Sequence, residues 1–118
     1  MIESHSDKVK RIFEAVYIVT DRKGEPLLRY EVCDEFDCSN QMLTIRKAII
    51  RLMIECNIPF KHITKTFKLS GERFSYIHNQ SESLQVKAFY NDLLSAFNQI
   101  EKRLLHEETF LKIHSHAI

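Results

Sequence analysis

Apolar positions recur every three to four residues along most of this chain, and that spacing predicts helices separated by short polar connections. Val9, Ile12, Phe13, Val16 and Val19 keep it over residues 6 to 20, with Ser4 or Ser6 available as an N-cap. The β-branched run VYIVT also admits a strand, so residues 15 to 32 read as helix and loop or as a hairpin turning at DRKGEP; helix is preferred. Leu28, Val32 and Phe36 place a short helix over residues 27 to 36 with an acidic outer side. Ser39 caps a third helix reaching about Glu55, on which Met42, Ile45, Ile49, Leu52 and Met53 make a broad apolar face. Residues 83 to 113 carry the longest periodic stripe, Leu84, Phe89, Leu93, Phe97, Ile100, Leu104 and Phe110. A helix of that length overhangs a small domain, so part of its stripe is free to meet a second copy of the chain in a homodimer.

Between these lies the most informative stretch, residues 57 to 80. Pro59 fits the first turn of a helix, where its missing N–H costs nothing. Ile63 and Phe67 share one face of that helix, Leu69 falls in a turn, and Phe74 with Ile77 shares the inner face of a second helix capped by Ser70. Gly71 allows a tight entry. This is the pattern of a helix-turn-helix, although two ordinary amphipathic helices in a bundle share it. Thr64 stands where a small residue eases helix packing, and Lys68 stands where the turn often has glycine.

The chain of 118 residues is expected to form one domain, 1 to 118, and its 2 Gly and 2 Pro favour long elements; the fold class is all-α, a multi-helix domain with a helix-turn-helix and a long C-terminal helix. Charge sharpens the reading. The net +1 hides a basic middle: residues 43 to 80 hold seven Lys or Arg against two Asp or Glu, whereas residues 1 to 42 hold six against nine. A basic segment that coincides with the candidate motif suits phosphate contact with double-stranded DNA. Lys61, Lys65, Lys68 and Ser70 are the phosphate candidates. Arg73, Ser75, Tyr76, Asn79 and Gln80 are the base-reading candidates, Arg for guanine and Asn or Gln for adenine. Glu72, if it faces DNA, must read a cytosine amino group.

Other chemistry is thinly represented. Neither a Gly-rich phosphate loop nor an H-E-x-x-H or G-x-S-x-G motif occurs, so no catalytic role and no cofactor are expected. Cys33, Cys38 and Cys56 lack zinc spacing and read as buried free thiols. His114 and His116 read as tail residues, and no metal is assigned. No apolar run approaches a membrane span and the N-terminus lacks a signal core, which implies a cytoplasmic protein with no membrane partner.

From Arg46 onward the chain resembles the C-terminal DNA-binding domain of the bacterial replication initiator DnaA, whose helix-turn-helix is similar to that of the Trp repressor. Arg46, Ala48, Ile49 and Leu52 resemble the family's Arg-x-x-Ala-x-x-Leu helix, and Ile63 with Phe67 resembles its Ile-Gly-x-x-Phe segment. Residues 69 to 77, LSGERFSYI, lie over Phe-Gly-Gly-Arg-Asp-His-Ser-Thr-Val, with Gly71, Ser75 and a conservative Ile77 in common. The resemblance covers about half the chain and implies a DNA-binding scaffold with Ser75 as a reading residue. Glu72, Arg73, Phe74 and Tyr76 depart from the pattern, and no ATPase domain accompanies it, so gene regulation or a mobile-element role is implied in place of initiation. A protein-protein interaction module without DNA binding is the alternative.

Overall fold

Helix α1 (His5–Arg22) starts where the Ser4 hydroxyl accepts the Asp7 N–H at 3.1 Å. In this computed structural model, which describes residues 4 to 116 and their side chains as far as Phe110, the ambiguous VYIVT run is helix throughout. Val9, Ile12, Phe13, Val16 and Val19 form one buried stripe, which a strand's alternation would have split between two faces. Packing therefore outweighs the local strand preference of the branched residues. Thr20 is buried as well, and its hydroxyl is fully used: it donates to the Val16 carbonyl at 2.8 Å and accepts the Leu27 N–H at 2.9 Å. That second bond pins the return of the chain after Gly24, whose φ of +85° suits glycine.

Helix α2 (Arg29–Val32) is a single turn, shorter than the pattern of Leu28, Val32 and Phe36 suggested. Only Val32 is buried; Phe36 is 87% exposed. Short polar side chains end the helix by binding the backbone locally: Asp34 accepts the Phe36 N–H and Asp37 the Ser39 N–H. Arg46 then takes the freed Val32 carbonyl at 2.7 Å, and its guanidinium also reaches the Asp34 carbonyl. Helix α3 (Asn40–Glu55) opens on the expected Ser39 cap and closes with Asn57 left-handed at φ +60°. There the Asn57 and Ile58 N–H groups bond back to Ile54 and Met53, a Schellman end with Ile58 buried beside it.

After the short helices α4 (Phe60–Phe67) and α5 (Gly71–Asn79), helix α6 (Leu84–His116) runs 33 residues without interruption. At 1.5 Å per residue it spans about 50 Å, close to the 54 Å long axis of the molecule. Val86, Phe89, Tyr90, Leu93, Ala96, Phe97 and Ile100 bury its first half against α1 and α3, while Leu105 is 65% exposed. The described residues form helices and no strand, and α1, α3 and α6 form the central layer on which α4 and α5 sit by way of α3. Arg11 bonds Glu101 of α6 at 3.0 Å, and Arg51 bonds Glu82, in the segment that leads into α6, at 3.2 Å. No described helix is long and apolar enough to cross a membrane.

Candidate nucleic-acid interface

The α4–α5 unit is held from behind by four aromatic and aliphatic anchors. Ile63 and Phe67 are buried, and the Phe67 ring lies 6.1 Å from Phe13 of α1. On α5, Phe74 is buried and meets Phe60 edge to face at 4.7 Å, joining the two helices directly, while Ile77 is half-buried. Pro59 stands one residue before the helix, as its N-cap, and lends its carbonyl to His62 and Ile63. With φ −60° and ψ 144° it is extended, not helical as first-turn placement required.

The turn between the helices is built by Lys68, which occupies the left-handed region at φ +54° where glycine is easiest. Leu69 then bonds back to the Thr64 carbonyl at 2.9 Å, and Ser70 caps α5 by accepting the Arg73 N–H at 3.1 Å. Gly71 has no such backbone demand; a Cβ there would meet only the Phe60 ring edge at 3.7 Å, an ordinary contact.

The exposed side of the unit carries the sequence candidates. Lys61, Lys65, Lys68 and Ser70 are exposed along α4 and the turn. Arg73, Ser75, Tyr76 and Asn79 are exposed on α5 with Glu72, and Tyr76 is 65% exposed. Among the described residues no ion pair engages Lys61, Lys65, Lys68 or Arg73, so their charges face solvent. Gln80 is placed differently. It lies past the end of α5, half-buried, and its amide oxygen accepts the Lys47 ammonium of α3 at 2.6 Å. His78 is not part of the face either, since it stacks on Phe74 at 5.8 Å.

Behind α5 the turn and α3 enclose a cleft of about 380 Å³ whose polar rim is Arg46, Lys47, Lys68, Arg73 and Glu35. Arg46 and Lys47 were visible in the sequence as basic residues on α3, but not as neighbours of Arg73 and Lys68. Their side chains are spent on carbonyl and amide oxygens, which is how a basic cluster is held together without a matching set of acids. The thiols divide: Cys33 and Cys56 are half-buried, whereas Cys38 is exposed on the same cleft, contrary to the expectation that all three are buried. Burial pushes the Cys33 and Cys56 thiols above the usual range, outweighing nearby cations. The Ser39 N–H holds the Asp37 carboxyl below its usual range. The His114 and His116 side chains lie outside the described ones.

What the fold defines is an all-helical domain with two short helices and a basic turn on one surface. Compared with protein-family models, curated proteins and solved structures, the chain finds no match in any of the three.

Proposed function

We propose that this chain is a helix-turn-helix protein that binds double-stranded DNA in the cytoplasm as a regulator of transcription or of a mobile element. The observation that carries the reading is the division of the α4–α5 unit. Ile63, Phe67 and Phe74 are buried on its inner side, while its exposed side holds Lys61, Lys65, Lys68 and Arg73 without acidic partners among the described residues. On this reading the three lysines and Ser70 meet phosphates, and α5 enters the major groove. Arg73 addresses a guanine edge, Asn79 an adenine edge, Glu72 a cytosine amino group, and Ser75 and Tyr76 the neighbouring bases. Gln80, tied to Lys47, fixes the end of α5 and leaves adenine to Asn79. A second copy of the chain engages the exposed stretch of α6 around Leu105.

The test is fluorescence anisotropy with random duplex DNA across a salt series. Binding should weaken steeply with salt, and replacing Lys65 and Lys68 by Ala should reduce the slope by about two counterion equivalents. Once a specific site is selected, Arg73→Ala should cost about 1–3 kcal/mol on that site and much less on random DNA. A folded protein that binds no DNA at low salt would overturn the reading. It would favour the second one, a protein-interaction module, for which the exposed Tyr17, Leu28 and Tyr30 around α1 and α2 offer a surface.

A further inference from the structure

A second cavity lies apart from the α4–α5 surface. It measures about 730 Å³ and opens between the end of α1 and the first turns of α3 and α6. That volume is in the range of small-molecule sites. Its floor is apolar, formed by Ile45, Val86 and Phe89 with Leu43 beside them. Its rim is polar, and the two cations on it are Lys23 and Lys47.

Each lysine has a partner that an anion can displace. Lys23 faces Asp92 at 3.6 Å with both side chains more than half exposed, so the pair is weak and easily exchanged. The same ammonium lies 5.2 Å from the centre of the Phe89 ring, directly above the cavity floor. Lys47 reaches away to Gln80, and through that bond it lines both this cavity and the cleft behind α5. One side chain thus spans α3 between the two hollows.

We propose that the cavity binds a small amphipathic anion, its apolar body on Ile45, Val86 and Phe89 and its head group between Lys23 and Lys47. Glu25 on the rim limits the charge the site accepts, favouring a monoanion such as a carboxylate over a phosphate ester. Occupation turns the Lys47 ammonium from a neutral amide oxygen to an anionic one, the stronger partner. Gln80 is then released, and the C-terminal end of α5 loses its tie to α3. The site itself does not depend on DNA binding; only its effect on DNA would rest on that reading.

The experiment is a titration of the isotope-labelled full chain, followed by amide chemical shifts, with decanoate below its micellar range. Decanol and decyltrimethylammonium, of equal chain length, serve as neutral and cationic controls. Decanoate should shift amides of residues 20 to 25, 40 to 47 and 83 to 89 saturably, together with the Gln80 side-chain amide. Decanol should bind about tenfold more weakly, the loss expected for one charge-assisted contact. Ala88 is exposed and lines the cavity, so Ala88→Trp should fill it and abolish the shifts while leaving the rest of the spectrum dispersed. Should that variant not fold, Gln85→Trp, also on the rim, makes the same test. Equal binding of the three amphiphiles, shifts centred on the α6 overhang, or binding unaffected by the filled cavity would each overturn the proposal. An unmoved Gln80 side chain in a saturated complex would overturn the coupling. Absence of DNA binding would leave all of these outcomes unchanged.

Discussion

Lys68 combines two demands that oppose each other. Its backbone is left-handed, which costs a side-chain-bearing residue about 1 kcal/mol relative to glycine, while its ammonium stands on the proposed phosphate surface. Lys68→Gly should therefore raise unfolding stability by up to about 1 kcal/mol in denaturant and at the same time weaken random-DNA binding and its salt slope. Lys68→Ala should weaken DNA binding without the gain. The cysteines permit a separate check of the local packing. Cys38 is exposed, whereas burial raises the other two thiols and keeps less of each as thiolate. A thiol reagent at neutral pH should modify Cys38 first, with Cys33 and Cys56 following on the timescale of local opening; mass spectrometry of the labelled peptides decides the order.

At the scale of elements, periodicity located α1, α3 and residues 86 to 100 of α6 because each buries one continuous stripe, and no interaction outside the helix is needed to read it. Where an element ends by tertiary capture, the stripe misleads: the α2 pattern continues through Phe36, but Asp34, Asp37 and the distant Arg46 take over the backbone first. The candidate surface divides in the same way. Lys61, Lys65, Lys68 and the exposed residues of α5 follow from helical spacing alone. The commitment of Gln80 to Lys47 joins positions 33 apart and has no local signature. The contact between α3 and α6 is similarly non-local and carries its own pH signature. Tyr90 is buried there, its hydroxyl donates to the Glu55 carboxylate, and the Arg51 guanidinium stacks 3.7 Å from the ring centre. Burial, and after it the hydrogen bond to Glu55, pushes the phenol from near 10 up to about 12. A raised value favours the neutral form in the fold, so this contribution to stability is complete below pH 10 and is lost as pH rises towards 12. Tyr90→Phe should flatten the stability profile across that interval, as measured by denaturant midpoints.

For the whole molecule, the length of α6 is the feature that sets shape. Its core contacts end near Leu104, and the chain beyond contributes exposed side chains such as Leu105. Removal of residues 106 to 118 should therefore leave the thermal midpoint nearly unchanged, since no buried described residue is lost. If a second copy binds this overhang, the same truncation should convert a dimer to a monomer in sedimentation equilibrium; an unchanged mass would remove α6 as the dimer contact. Charge is also distributed at this scale, with the basic middle of the sequence gathered on α3, α4 and α5 and Glu35 at the edge of their cleft. Within that arrangement, the left-handed lysine in the turn ties the proposed DNA binding to one position of the sequence. A glycine relaxes the backbone at once, so random drift has an easy route to it once the positive charge serves no purpose. If the proposed DNA binding holds, relatives that bind DNA should keep Lys at position 68, and relatives that do not should carry Gly or Asn there.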